Sequence, residues 1–138
     1  MPTASYVKYT AAIEPLLEGI NAGIDAWRVA LAATVNIADT TFTLGTTDLA
    51  TGGGYTAGGN AATTTSASQT AGTYKLVLAS PSVWTATGAG FTFRYAILWD
   101  STTSTPVAYW DYGSSQTVSA GETVTVTLDA SNGVFQAT

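Results

Sequence analysis

The chain has 138 residues, of which only 9% are charged, and its formal net charge is −5 at pH 7. It contains no histidine and no cysteine, which excludes imidazole and thiol catalysis, the usual zinc sites and any disulfide framework. The four basic residues are scattered, and no apolar run approaches the length of a membrane span. We therefore expect neither nucleic-acid binding nor membrane attachment, because both need clustered basic or long apolar segments.

The first predicted element is a short helix over residues 11–22. Four apolar residues follow the helical period there, namely Ile13, Leu16, Leu17 and Ile20. Thr10 is the expected N-cap, and Glu14 suits the positive end of the helix dipole. The apolar stripe predicts a helix that packs against a sheet; the alternative is a segment that reaches a neighbouring subunit. Residues 1–10 before it are a possible extended N-terminal arm.

The rest of the chain has the pattern of short strands separated by turns. Alternating or apolar runs predict strands at residues 26–34, 61–70, 73–79, 83–86, 91–100, 107–112, 123–128 and 134–137. The longest run, 91–100, should lie in the middle of a sheet or at a subunit contact, and 107–112 should pair with it as a hairpin. The glycine-rich residues 52–60 predict a bend with close backbone approach, anchored by Tyr55.

This pattern predicts a mainly β fold. The length suits a single domain over residues 1–138, built as an antiparallel β-sandwich of the jelly-roll or immunoglobulin-like kind with one short N-terminal helix. Turn signals recur every eight to twelve residues, and no fixed-period repeat is visible, which argues against a solenoid or a propeller.

Carboxylates are the only remaining candidates for catalysis. Asp100 and Asp111 lie in or at the end of the two aromatic strands, and a glycosidase would need two such groups across a sugar-binding cleft. The alternative is that they hold turns or pair with Arg94. Loop residues such as Asp48 and Asp129 offer calcium-type oxygens, but no calcium-loop motif occurs. We predict no catalytic residue, no metal and no cofactor, and therefore no enzyme.

Seven short segments occur in an order that carries a resemblance; they are residues 6–9, 16–19, 27–31, 53–59, 93–100, 109–113 and 129–134. Together they make the chain similar to small virion structural proteins of tailed bacteriophages, such as capsid decoration and minor structural proteins. The resemblance spans nearly the whole chain and brings no catalytic motif. It implies a β-rich subunit assembled on the particle, on the capsid surface or near the head–tail junction, and made in the cytoplasm of the bacterial host.

The composition favours the same class of protein. Thr, Ser and Ala faces allow close approach with little loss of side-chain entropy, and Tyr and Trp supply contact area with few rotatable bonds. We therefore expect a capsid decoration or cement protein that binds the major capsid protein or other virion proteins as a homo-oligomer, with a trimer as the guess. The expected interface residues are Tyr6, Lys8, Tyr9 and Tyr55.

Two alternatives remain open at this point. One is a tail, fibre-base or head–tail adaptor component, which copy number per virion would separate from a decoration protein. The other is a carbohydrate-binding module, which needs at least two exposed aromatic residues in one concave row. Exposure of Trp84, Trp99 and Trp110 would discriminate, because a decoration protein is expected to bury them.

Overall fold

A computed structural model describes residues 3–138, and this region is mainly β, as predicted. It contains ten strands and one short helix, which are β1 (Ser5–Lys8), α1 (Ile13–Glu18), β2 (Trp27–Ala32), β3 (Asn60–Ala61), β4 (Thr64–Thr70), β5 (Thr73–Leu78), β6 (Trp84–Thr85), β7 (Phe91–Asp100), β8 (Thr105–Val118), β9 (Thr123–Val124) and β10 (Phe135–Ala137).

The strands form three antiparallel sheets. The largest has the order β1-β8-β7-β2-β3, the second has the order β10-β5-β4, and β6 pairs with β9 in the third. Buried side chains from all three sheets belong to one continuous apolar cluster. Antiparallel sheets packed on a shared core are consistent with the predicted β-sandwich.

The β7–β8 hairpin is the centre of the large sheet. The predicted strand 91–100 is confirmed to the residue, and it lies between β8 and β2. Side chains on both faces of β7 are buried, including Ile97 on one face and Leu98 on the other. Burying an aliphatic side chain of this size stabilises the fold by about 1.5–3 kcal/mol. A strand with both faces covered gains this stabilisation from the residues on each face. On the face of Ile97, Phe42 from the β2–β3 connection stacks on Trp99 with 3.8 Å between ring centroids.

The helix prediction is only partly correct. The helix has six residues, its N-cap is Ala12 rather than Thr10, and the Thr10 hydroxyl donates instead to the carbonyl of Ile37. None of its residues is fully buried and Leu17 is 82% exposed, but Leu16 packs against the core, so only part of the apolar stripe docks. The stripe is interrupted because the helix ends at Gly19, after which Ile20 turns into the core as part of a non-helical segment.

Half of the described length of the possible N-terminal arm is a strand. Residues 5–8 form β1, which pairs with β8 in register from Ser5 opposite Asp111 to Lys8 opposite Ala108. Tyr9 follows and is fully buried, with its ring edge-on to that of Tyr109. Residues 1 and 2 of the predicted arm lie outside the described part of the chain. The segment is held by sheet hydrogen bonds and by the burial of one large aromatic side chain.

The glycine-rich bend forms as predicted, with Tyr55 as its anchor. The Tyr55 hydroxyl donates to the carboxylate of Asp48 and accepts from the N–H of Leu31. The same carboxylate accepts the N–H groups of Gly45 and Gly58. Gly59 has φ +69°, and a Cβ there would overlap the carbonyl oxygen of Val29, so the loop must have glycine where it crosses β2.

Asp100 closes the turn between β7 and β8. Its carboxylate, fully buried, accepts the Thr102 N–H and the Thr103 hydroxyl, each at 2.8 Å. The carboxyl group of Asp25 lies within hydrogen-bonding reach of it. Burial is the main cause that raises the pKa of Asp100, and Asp25 raises it further, whereas the two hydrogen bonds oppose the shift. Asp100 thus has the structural role, holding a turn, that was the alternative to catalysis.

Removing the Tyr55 hydroxyl should destabilise the fold. The substitution Tyr55→Phe leaves the Leu31 N–H unpaired and takes one donor from the buried Asp48 carboxylate. An unpaired buried polar group costs about 1–3 kcal/mol, and we expect a loss in that range in denaturant unfolding. Tyr6→Phe is the matched control, because Tyr6 is 44% exposed. Equal stability of the two variants would contradict the anchoring role of Tyr55.

Replacing Asp100 by asparagine should change how stability depends on pH. A carboxyl whose pKa is higher in the folded chain than in the unfolded chain stabilises the fold at low pH, and this contribution disappears as the pH rises above the raised value. The asparagine side chain keeps an acceptor for the Thr102 N–H and carries no charge to bury. We therefore expect Asp100→Asn to gain thermal stability relative to the unmodified chain as the pH increases from about 3 to about 7. The prediction would be contradicted if the thermal stability of the variant relative to the unmodified chain stayed constant or fell over this pH range.

Candidate binding groove

A groove of about 830 Å³ opens between the large sheet and the C-terminal part of the chain. One side is formed by β1 and β8, and the other by residues 125–129 and 133–136. Four aromatic residues line it, which are Tyr6, Trp110, Tyr112 and Phe135. We call it the aromatic groove. The second side includes the segment between β9 and β10, two strands that belong to different sheets.

Strand pairing explains why the aromatic residues gather in one place. Tyr6 is directly opposite Trp110 in the β1–β8 register, so the two side chains emerge on the same face of the sheet. Their rings meet edge-on with centroids 5.7 Å apart. Tyr112 is two residues further along β8 and therefore shares that face. Partial burial raises the pKa of both Tyr6 and Tyr112, so both hydroxyls stay protonated at neutral pH.

The other side of the groove alternates between buried aliphatic and exposed hydroxyl groups. Val126 and Leu128 point into the core, whereas Thr125 and Thr127 are exposed. This confirms the inward direction predicted for Val126 and Leu128, although β9 itself ends at Val124. The surface that the groove offers to a ligand therefore consists of aromatic rings, hydroxyls and amides rather than aliphatic side chains.

Two charged residues line the groove, Lys8 and Asp129. The Asp129 carboxylate accepts the backbone N–H groups of Ser131 and Asn132, both at 2.8 Å, and the side-chain amide of Asn132. The hydrogen bonds from Asn132, followed by that from Ser131, lower the pKa of Asp129. Asp129 is thus an ionised group that holds the 129–133 turn, and it is poorly suited to donate a proton.

The tryptophans differ in exposure, which is the property expected from the sequence to separate a decoration protein from a carbohydrate-binding module. Trp84 and Trp99 are buried, and so is Trp27, whereas Trp110 is partly exposed in the groove. The expectation that a decoration protein buries all of the three discriminating tryptophans thus fails for Trp110. Tyr6 and Trp110 together give two accessible aromatic residues in one concave surface.

The four residues predicted as an interface are not brought together. Tyr6 and Lys8 are exposed and line the aromatic groove. Tyr9 and Tyr55 are buried in the core of the chain itself, with 0% and 1% exposure, so their side chains are not on its surface. The strand alternation of residues 6–9 carried the signal for this division, because Tyr9 has the opposite orientation to Tyr6 and Lys8.

The carboxylate pair considered for glycoside hydrolysis does not form. Asp100 is opposite Thr105, and Asp111 is opposite Tyr95, so the two lie five residues apart along β7. At about 3.3 Å per residue this is roughly 16 Å, beyond the ~5–9.5 Å that two-carboxylate mechanisms use. Asp111 pairs instead with Arg94, with Nε and Oδ1 2.8 Å apart, as the structural alternative predicted. The Arg94 guanidinium is the main cause that lowers the pKa of Asp111.

A second surface feature is an apolar patch on residues 13–24, which we call the helical patch. It exposes Ile13, Leu17 and Ile24, the last two at 82% and 80%. Residues 16–23 also form one side of a shallower groove whose other side is Tyr74, Phe135 and Ala137. Of the predicted apolar stripe, Leu16 and Ile20 pack on the core, whereas Ile13 and Leu17 are exposed, as the alternative of a contact with a neighbouring subunit requires.

Neither a metal site nor a membrane span stands out in the described region. Across residues 3–138, no three acidic side chains converge in a way that could hold a metal ion. The helix in that region has six residues and cannot reach across a bilayer.

Comparisons with known proteins add no relative: no family model, curated protein or solved structure matches the chain. Its geometry and the two surfaces described above, the aromatic groove and the helical patch, are therefore the basis for the functional argument.

Proposed function

We propose that this chain is a virion structural protein of a tailed bacteriophage, a capsid decoration or cement protein that stabilises the head by symmetric protein–protein contacts. Its partners are the major capsid protein and further copies of itself, and its place is the capsid surface, after synthesis in the cytoplasm of the bacterial host. The observation that carries the proposal is the helical patch, an apolar surface made by the side chains of residues 13–24 that do not pack on the core.

The helical patch has the chemistry of a protein-binding surface. Ile13, Leu17 and Ile24 are large aliphatic side chains exposed within one stretch of twelve residues. α1 buries none of its residues, so packing within the chain does not account for this apolar surface. Apolar patches of this kind, with polar surroundings, are typical of interaction sites.

The size of the patch favours repeated, symmetric contacts. Full burial of three such side chains contributes about 5–9 kcal/mol, whereas association costs an estimated ~4–15 kcal/mol. A single patch is therefore too weak to hold a partner firmly. Several copies engaged at once gain avidity, and a symmetric shell presents the same site many times.

The remaining surface is compatible with close packing. β4 is an edge strand of the three-stranded sheet, and its sequence TTSASQT exposes mostly short hydroxyl side chains. Such side chains lose little conformational entropy when they are covered. Tyr6 and Lys8 are the two predicted interface residues that stay exposed, and they line the aromatic groove, whereas the burial of Tyr9 and Tyr55 leaves those two with a role inside the fold.

Introducing charge into the helical patch tests the proposal. We expect Leu17→Lys with Ile24→Lys to abolish self-association in sedimentation velocity and to reduce the copies per particle at least tenfold in quantitative mass spectrometry of purified phage. Thermal stability should change little, because both side chains are exposed. Val83→Lys is the matched control, since Val83 is also an exposed aliphatic residue, at 51%, outside the patch.

Two results would reject the proposal. The first is absence of the chain from purified particles of the phage that encodes it. The second is equal incorporation of the double variant and the Val83→Lys control. A few copies per particle rather than many would assign the chain to the tail or the head–tail junction, and would reject the decoration role in particular.

A further inference from the structure

We propose that the aromatic groove binds a neutral oligosaccharide and does not cleave it. This function is separate from assembly on the capsid, because it uses the aromatic groove between β1–β8 and residues 125–129 and 133–136, whereas the proposed assembly contact uses the helical patch on residues 13–24.

The dimensions of the aromatic groove suit a chain of sugar units. Its volume of about 830 Å³ lies within the ~300–1,000 Å³ typical of ligand sites. An open groove, unlike a closed pocket, admits the internal units of a linear chain. The ligand class suggested by shape is therefore an extended oligomer rather than a compact cofactor.

The aromatic residues supply the apolar half of sugar recognition. One face of a pyranose ring carries C–H bonds with partial positive charge, and an aromatic ring face is negative. Tyr6 and Trp110 meet at an interplanar angle of 64°, so their rings form a corner into which a sugar ring can pack. Tyr112 and Phe135 extend the aromatic surface along the groove.

The opposite side supplies hydrogen-bonding groups for sugar hydroxyls. Thr125 and Thr127 are exposed and line the groove, so their hydroxyls are accessible to a ligand. The Gln136 amide nitrogen donates to the Asn132 carbonyl, which fixes the side chain and leaves its oxygen as an acceptor. A hydroxyl-rich ligand can pair with these groups, whereas an aliphatic protein surface would leave them unsatisfied.

The pattern of burial favours a glycan over a protein partner. The aliphatic side chains that border the groove, Val126, Leu128 and Val134, are all buried. What remains accessible is ring and hydroxyl surface, and the accessible aliphatic surface lies on the helical patch instead. The two surfaces thus have different chemistry and suit different partners.

The charges of the residues that line the groove favour a neutral sugar. The same residues are suited to binding the sugar and not to cleaving it. Lys8 and Asp129 balance each other among the lining residues, so the groove offers no net charge to an anionic or cationic chain. Asp129 is the single carboxylate among these residues and is held in a turn by hydrogen bonds to Ser131 and Asn132. Hydrolysis of a glycosidic bond by the common mechanisms needs two carboxylates facing the sugar, an arrangement that this lining does not provide.

The native tryptophan fluorescence of the purified full-length chain tests this directly. Trp110 is the tryptophan that lines the groove, and the other three are buried elsewhere. We expect a saturable change with at least one of cellohexaose, maltohexaose, xylohexaose or chitohexaose below about 10 mM, corresponding to a binding free energy of at least about 3 kcal/mol. The sugar should be recovered intact after incubation.

Variants separate the groove from the rest of the surface. Tyr6→Ala keeps the Trp110 reporter and should weaken the binding at least tenfold, and Thr127→Val should weaken it by a smaller factor. Leu17→Ala is the matched control on the helical patch and should leave the affinity unchanged. Thermal melts of all three variants verify that the fold is intact.

Each contrary outcome overturns the inference. Lack of a saturable change with all four sugars, tighter binding of oligogalacturonate than of every neutral sugar, or shortening of the sugar would each reject it. A fluorescence change that depends on protein concentration without sugar, together with a doubled mass, would assign the groove to a second copy. The capsid role would survive any of these results, because its test depends on the helical patch.

Discussion

The two-sided burial of β7 is the constraint on which the rest of the fold depends. β7 is hydrogen-bonded to β8 and β2, and its faces are covered by the other sheets on one side and by the β2–β3 connection on the other. A strand in this position cannot shift register by one residue without exchanging its two apolar faces. The register of β8, and through it that of β1, is fixed as a result. The position of Tyr6 beside Trp110 follows from that register.

Much of this architecture was predictable from local sequence pattern. The strand 91–100, the hairpin with β8 and the alternation of residues 123–128 were visible because an apolar residue recurs at every second position or because both faces are apolar. The glycine bend was visible because close backbone approach excludes a Cβ. These features depend on residues that are near one another in sequence, and so they can be predicted without knowing which strands pair.

The sequence was less informative where tertiary contacts determine the position and burial of a side chain. Ile13, Leu16, Leu17 and Ile20 have helical spacing, yet the helix ends after six residues. Leu16 and Ile20 pack on the core, whereas Ile13 and Leu17 stay exposed. The aromatic groove was invisible as a site, since Tyr6, Trp110 and Phe135 are far apart in sequence and are joined by strand pairing. Asp25 and Asp100 meet for the same reason. The alternating directions of residues 6–9 could have separated Tyr9 from Tyr6 and Lys8 at the outset.

The surface of the molecule divides into regions of distinct chemistry. The helical patch is aliphatic, the groove is aromatic and hydroxyl-bearing, and β4 is short and polar. Low charge leaves few long side chains to obstruct any of these surfaces. A partner that recognises one region therefore has little reason to bind another, which allows the proposed assembly and sugar-binding functions to coexist on a chain of this length.

The continuity of β8 has a mechanical consequence. Its first residues, 105–108, are buried in the core, and Trp110 and Tyr112 follow on the same strand at the groove. Trp110 and Tyr112 are thus carried by a strand that is anchored in the core, whereas residues 125–129 on the opposite side of the groove lie outside the strands. Occupancy would freeze few additional degrees of freedom, and the free and occupied forms should superimpose closely. The same anchoring of β8 would disfavour a ligand whose curvature does not follow the strand.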